Sequence, residues 1–397
     1  METLEQRQST IQNDRSQQRA KISFPEEIIE EILSRLPVKS ILRFKSVSKP
    51  WRSLISNPSF TKLHSTRAAV NHRTALFISA HDPSTRKRYF LSAAHDGGSL
   101  THLITLHNTP TRCDITESQH LNGLVLFNYG DGYQNYAFVV NPSTHKVLKL
   151  PNPTNYGTGK TDICYFFGFD ESKNEHKVLN ITITTHHVPL VKPVIEIMIF
   201  SLSNYSWRKI DVEFPLVVSQ FRWCYGLKRS VCVNSVIHLM LVNQKELLAF
   251  DLRTEKFSIV KICSDAVPHR IICNRPHLIK VDGLLGVVCH DQMITNNDVY
   301  VWILQDYENG VWVRETITFP KSWSVFGCAF PLDSANMEEI IFSLNKESKN
   351  VTGVLMYNMK SGCFKSVQLT LDDHPFLCKE HVQFQQIKWY VESLVRL

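Results

Sequence analysis

The residue types best suited to chemistry are few in this chain, and each lacks a companion that the chemistry requires. Gly157-Thr158-Gly159-Lys160-Thr161 has the ending of a phosphate-binding loop. That motif needs glycine at 154, where Thr154 stands, and a helix afterwards to aim its N–H groups at phosphate. Ile163 to Phe167 reads as strand, so a polar loop between strands is expected. Asp170-x-Ser172-x-Asn174 begins like a calcium loop, but its sixth position is Glu175 and its twelfth Ile181, where glycine and glutamate belong. A hairpin turn is the reading. His186 and His187 are adjacent, so on a strand they would point to opposite faces and could not share a metal; a loop suits them better. There is no H-E-x-x-H and no G-x-S-x-G, and scattered Ser, His and Asp define no triad. Phe221-Arg222-Trp223-Cys224-Tyr225 with Lys228-Arg229 mixes cations and aromatics as an RNA-stacking patch would. The cluster is brief, and a solvated strand end with core aromatics accounts for it. No catalytic residue, no metal site and no cofactor is expected.

Composition narrows the classes further. The chain has 397 residues with 43% hydrophobic content, enough for more than one domain and a large core. Its formal charge of +7 is spread thinly: four basic and three acidic residues in 1–21, six and four in 22–60, and 34 against 30 in the rest. A nucleic-acid binder concentrates its cations, so nucleic acid is not an expected partner. The ten cysteines contain no C-x-x-C pair and read as reduced core residues. Residues 1–21 are polar, with no apolar run, and are expected to be a disordered tail. No segment reaches 18 apolar residues, so no membrane span is expected. The expected location is intracellular, in nucleus or cytoplasm, which makes the sequons at Asn180, Asn204 and Asn350 chance matches.

The elements that organise the chain begin at Ser23-Phe24-Pro25-Glu26. Ser23 and Glu26 form an S-x-x-E capping box with Pro25 in the first turn, which predicts a helix start. Ile28, Ile29, Ile32, Leu33 and Leu36 then line one side of a helix and four glutamates the other, until Pro37 stops it. Val38, Ile41 and Leu42, with Phe44 beside them, form a second stripe. Ser48 caps a third helix that tolerates Pro50 in its first turn and presents Trp51, Leu54 and Ile55 before Asn57-Pro58 ends it. Three such short helices cannot bury enough surface to fold firmly alone. A partner should complete their core.

That ordered detail, from Phe24-Pro25-Glu26-Glu27 through Trp51-Arg52-Ser53-Leu54-Ile55, resembles the F-box, in the form found in plant F-box proteins. The resemblance implies docking onto a Skp1-type adaptor and, through it, a cullin. On that reading Phe24, Pro25, Ile28, Ile29, Ile32, Leu36, Pro37, Ile41, Leu42, Phe44, Val47 and Trp51 are shared between internal packing and the partner surface, with Trp51 and Leu36 as anchors. The sequence does not divide the two roles.

Residues 61–75 show neither helical nor strand period and are expected to be a linker, helical in part. From about Leu76 the texture becomes short runs of Val, Ile, Phe, Tyr and Trp between turn residues, a strand signal. One arrangement recurs: an apolar strand, a polar turn, and a second strand opening on a large residue. Its turn markers are Asn141, Ser203, Asp251, Asp306 and Asn358, spaced by 62, 48, 55 and 52 residues. That is close to the roughly 40–50 residues of a four-stranded propeller blade. Trp207, Phe257 and Trp312 follow the turns, where packing between blades would bury them. Further strand pairs are expected at Tyr165–Asp170 with His176–Ile183, and around Asn234-Ser235, where Asn-Gly would be the commoner turn.

Leu121–Phe127, Asn141–Pro153, Phe166–Leu179, Trp207–Ile210, Phe250–Phe257 and Val301–Trp312 are similar in order and wording to the F-box-associated domain, type 3. That family is kelch-like in fold and taken to select proteins for ubiquitination. The expected fold is therefore α+β and multidomain: a three-helix F-box at 22–60, the linker, and an all-β, propeller-like substrate-recognition domain over 76–397. The expected function is that of a non-catalytic adaptor of a Skp1-cullin-F-box ubiquitin ligase, bringing in an unknown target protein. A stand-alone propeller binding RNA or glycan, or a propeller enzyme, are the alternatives.

Overall fold

The computed structural model describes residues 24–397 apart from 71–73, 108, 110–117, 131–134, 154–159, 186–192, 217–229, 242–244, 264, 266–276, 290–296, 320–330, 335–338, 347–350, 372–373 and 379–380. His186, His187 and the cluster from Phe221 to Arg229 lie outside the described residues. The chain divides into two compact units, one ending at Arg67 and the other beginning at Ala68.

The first unit is helical. Its helices are α1 (Glu26–Ser34), α2 (Val38–Phe44), α3 (Lys49–Ser56) and α4 (Pro58–Val70), the last of which runs on into the second unit. The expected capping box of α1 rests on Ser23. Ser23 lies outside the described residues, Pro25 occupies the N-cap with φ −50° and ψ 145°, and no side chain caps the helix. An extended proline suits that position, and Glu26 and Glu27 in the first turn offset the exposed N–H groups electrostatically. α1 also ends three residues before Pro37, which instead becomes the N-cap of α2. The cap of α3 is as the sequence predicts: the Ser48 hydroxyl accepts from the Trp51 N–H at 3.3 Å, and Pro50 sits in the first turn. Most of the stretch read as a linker is α4. Its apolar spacing is too poor to signal a helix, and bonds to α1 hold it in place.

The second unit is built of β-strands. β1 (Thr74–Asp82), β2 (Lys87–Ala94) and β3 (Gly97–Leu106) open it. Four-stranded antiparallel sheets follow: β4 (Gln119–Leu121) to β7 (Lys146–Lys149), β8 (Lys160–Asp170) to β11 (Ser206–Lys209), β12 (Ser230–Val233) to β15 (Lys256–Lys261), and β16 (His277–Val281) to β19 (Val311–Thr318). A fifth set runs from β20 (Pro331–Ser334) to β23 (Cys363–Thr370). β24 (Gln383–Val391) returns to pair with β1, Thr74 opposite Val391. A two-residue parallel contact, Leu369 and Thr370 against Gly98 and Ser99, joins β23 to β3 and links the last two sheets at their rims.

Among the described residues this makes six blades. Their first strands neighbour one another in turn, β4, β8, β12, β16, β20 and β24. The Gln386 side chain, accepting the Ser118 N–H at 3.0 Å, brings β24 back to the start of the series. This is a β-propeller closed by its own C-terminal strand. The five turn markers all fall at one place, the hairpin between third and fourth strands. There Asn141, Asp251, Asp306 and Asn358 each accept a backbone N–H two or three residues on, at 2.8–3.0 Å. The widest marker gap spans the longest hairpin, β8 with β9 (Glu175–Thr185), eleven residues in each strand.

Trp207 and Trp312 are half-buried rather than sealed, because they stand on outermost strands. Each Nε1–H reaches the preceding blade, Trp207 to the Pro151 carbonyl at 2.7 Å and Trp312 to that of Lys261 at 3.1 Å. The blades also interlock through glycine. A Cβ on Gly168 would come within 2.5 Å of Leu252 and 2.8 Å of Ile237, both on the next blade. Of the cysteines whose burial is described, Cys232 is buried as expected of a core residue, Cys164 and Cys263 are half-buried, and Cys363 is exposed on a rim strand.

Candidate partner-binding surface

A spacing of four residues, about one turn, places Ile28 and Ile32 along one edge of α1, Phe24 stands just before the helix, and all three face solvent, at 46%, 52% and 60% exposure respectively. Leu42 on α2 and Val47 just after it are also exposed, at 38% and 63%. Five of the eleven large apolar side chains exposed among the described residues therefore fall within 24 positions of a 397-residue chain. Exposed apolar patches of this kind are commonly interaction surfaces.

The opposite sides of the same helices form the interior. Leu33, Val38, Ile41, Ile55 and Phe60 are buried, Ile41 completely. Of the twelve residues expected to serve partner and packing together, Ile41 therefore packs. Ile29, Leu36, Phe44 and Trp51 are half-buried, and Trp51 meets Phe44 edge-on with ring centroids 5.3 Å apart. Pro25 and Pro37 are exposed alongside the five apolar side chains. Trp51 and Leu36, read as anchors, are thus partly spent on the module's own core, and the barest apolar surface comes from Phe24, Ile28, Ile32 and Val47.

The side chains that fix this arrangement come from α4. Arg67 donates to the Glu31 carboxylate, to the Ser34 hydroxyl, and at 3.2 Å to the Glu31 carbonyl. Nε2 of buried His64 lies 3.1 Å from the Leu36 carbonyl oxygen left open at the end of α1. Hydrogen bonds from Arg35, at 2.9 Å, and from Arg67 hold the Glu31 carboxyl below its ordinary value. The sequence reading missed both α4 residues. The available signal was His64 and Arg67 three apart, sharing a helix face opposite a glutamate at the middle of α1.

The chemistry-bearing motifs of the second unit resolve into structure. Lys160 and Thr161 open strand β8, paired with Thr185 and Thr184, so no helix follows the glycine pair to hold phosphate. Asp170 closes the β8–β9 hairpin, accepting from the Ser172 N–H at 3.1 Å and from the buried Lys177 ammonium at 2.7 Å. Burial raises its pKa, and the bonds from Lys177 and Ser172 more than reverse this, leaving it below the usual carboxylate value. Ser84 lies 2.8 Å from His381 Nε2 but donates its proton to Asp82 at 2.6 Å, which makes the trio a turn cap. Among the described residues no three His, Cys, Asp or Glu side chains gather as metal ligands, and no helix is long and apolar enough to cross a membrane.

Comparison with known proteins agrees with the architecture. The F-box domain matches residues 22–63, and the F-box associated beta propeller domain matches residues 68–387, most of the chain. The chain is a plant F-box protein. Its relatives in Arabidopsis thaliana include the putative F-box protein At4g21240, 28% identical over 87% of this chain and 81% of its own length. The putative F-box protein At4g38870 is 27% identical over 75% and 68%, and the F-box protein DOR 27% over 75% of each. The propeller domain of the Trilobed protease from Pyrococcus furiosus aligns over 76% of this chain and 79% of that one, with 9% identity and a TM-score of 0.39. The F-box match thus covers the exposed apolar edge of α1, and Arg67 stands in the short gap between the two matched segments.

Proposed function

We infer that this F-box protein is the substrate-recognition subunit of a Skp1-cullin-F-box ubiquitin ligase, working in the nucleus or cytoplasm. The F-box binds a Skp1-type adaptor, the adaptor a cullin, and the propeller holds the target. The observation that carries this reading is the outward row of Phe24, Ile28 and Ile32, bare on a module that matches the F-box. Around them, Pro25, Ile29, Leu36, Pro37, Leu42, Phe44, Val47 and Trp51 supply the rest of the contact or its immediate support. A contact of standard size, about 800 Å² per partner, would cover them. The protein itself performs no bond chemistry on this reading. Ubiquitin transfer is accelerated because a target lysine held beside a charged conjugating enzyme reacts at a high effective concentration.

The test is capture of a purified Skp1-type adaptor by the full-length chain. Wild type is expected to bind, and Ile28→Asp with Ile32→Asp to lose binding while the propeller's thermal transition stays in place. Equal capture by wild type and the double variant would overturn the docking assignment.

A further inference from the structure

The exposed apolar side chains of the F-box lie among charges that are sorted by helix. From Val38 to Asn57 the sequence carries five cations and no anion, whereas α1 carries four glutamates. Lys39, Arg43, Lys49 and Arg52 are all exposed, and no ion pair engages them among the described residues. Arg52 uses its Nε–H on the Lys45 carbonyl, which leaves its charge unneutralised. Glu31, by contrast, is already taken by Arg35 and Arg67. Lys39 and Arg43 stand one turn apart on α2, and Leu42, exposed itself, lies beside Arg43. Like charges one turn apart repel within a helix. Here the four cations stand on the two helices that flank exposed Val47, one of which also carries exposed Leu42.

Resting on the reading above, we propose that α2 and α3 dock against an acidic rim of the adaptor's apolar groove. Lys39, Arg43, Lys49 and Arg52 steer the encounter, while Phe24, Ile28, Ile32 and Val47 hold the complex once it has formed. The two sets act on different rates. Exposed rim charges change association and its salt dependence, because their field reaches about one Debye length before contact. Apolar side chains that lose water only on contact change dissociation. A groove rimmed by carboxylates would gain from all four cations at once, and a neutral groove from none.

The experiment measures association and dissociation rates of the full-length chain with a purified Skp1-type adaptor at 50 mM and 500 mM NaCl. Wild-type association is expected to slow about tenfold or more across that range. Lys39→Glu with Arg43→Glu, and separately Lys49→Glu with Arg52→Glu, should each slow association about tenfold at 50 mM and little at 500 mM, with dissociation changed less than about threefold. Lys39→Gln with Arg43→Gln should fall between, and circular dichroism at matched salt checks that the helices persist. Glu26→Gln with Glu27→Gln should not slow association. Adaptor binding with salt-independent rates, or unchanged association in both charge-reversed variants, overturns the proposal and leaves the adaptor reading standing. Failure of wild type to bind at either salt overturns both. A labelled 20-nucleotide RNA serves as the competing probe: if the variants lose RNA while keeping wild-type adaptor kinetics, the cations form a nucleic-acid site and the proposal falls.

Discussion

Arg67, the last residue of the helical unit, donates through its guanidinium to both the carboxylate and the backbone carbonyl of Glu31, 36 positions earlier at the middle of α1. The pair fastens α4 to the helix that carries Ile28 and Ile32. Arg67→Ala is therefore expected to lower the melting temperature of the helical unit without moving that of the propeller. Hydrogen exchange should show faster opening of α1 amides and unchanged protection in β8 and β9. Arg35 and then Arg67 hold Glu31 below its ordinary value of 4.5. The stabilisation is thus present above that pH and is lost as pH falls through the lowered folded value. In Arg67→Ala, this acid-labile component should shrink. Equal α1 exchange rates in variant and wild type would show that α4 is held by Phe60 and His64 alone.

Asp170 and Lys177 form an ion pair with side chains almost wholly out of water, and Lys177 also lies 3.4 Å from the Leu252 carbonyl of the next blade. Removing one partner strands the other charge in the interior. Lys177→Ala should cost about 3–5 kcal/mol, whereas Lys177→Met with Asp170→Asn should cost much less because no unpaired charge is left. Urea unfolding of both variants decides this. The pair should also weaken in acid, since Asp170 titrates below its ordinary value of 3.8 and its contribution is lost as pH falls through the lowered value. A double variant as unstable as the single would mean that the cost comes from the lost bond to Leu252.

The propeller period is legible because five of the six blades repeat an Asn, Asp or Ser turn before a hydrophobic strand, and the side chains at Asn141, Asp251, Asp306 and Asn358 do cap those turns. The closure was not legible. β24 pairs with β1 across more than 300 residues, and nothing in the pattern around Trp389 or Leu76 distinguishes that register from a local hairpin. The same limit applied to the candidate surface. Periodicity grouped Ile28, Ile32, Leu33 and Leu36 on one side of α1, but the stripe is wider than the module's core, and only packing against Ile41, Ile55 and Phe60 decides which part turns outward. α4 was read as linker because what holds it is a polar contact to α1 rather than an apolar stripe of its own.

Two buried histidines give the propeller a second acid response. His176 lies between Phe167 and Phe169 with its Nε2 3.2 Å from the Leu121 carbonyl, and His238 meets the Tyr307 hydroxyl at 3.0 Å. Burial lowers both to about 4 from the ordinary 6.5. Between pH 6.5 and 4 the unfolded chain binds protons that the folded chain refuses. Their stabilising effect is therefore complete above 6.5 and declines by up to about 1.4 kcal/mol per pH unit for each histidine as pH falls. Urea midpoints at pH 7, 5.5 and 4.5 should fall steadily in wild type, and His176→Gln should flatten the slope. Parallel slopes would place the response elsewhere.

The Asn234-Ser235 turn joins β12 to β13 (Val236–Met240) where Asn-Gly is the commoner pair, and both residues adopt positive φ, 49° and 65°. Serine is strained in that conformation, so its retention needs a local gain. The buried Ser235 hydroxyl accepts the Glu171 N–H of the preceding blade at 2.9 Å, while its carbonyl accepts from Leu252. Ser235→Gly loses the same acceptor as Ser235→Ala but relieves about 1 kcal/mol of strain, so it should cost about 1 kcal/mol less than the alanine variant. Ser235→Ala loses the bond, keeps the strain, and should cost about 1–3 kcal/mol by leaving Glu171 N–H without its acceptor. Thermal unfolding of the two variants separates the terms: alanine well below wild type, with glycine above alanine, means that serine is there to fasten blade to blade. Alanine near wild type would mean that water can replace the hydroxyl and that the turn tolerates serine for no structural return.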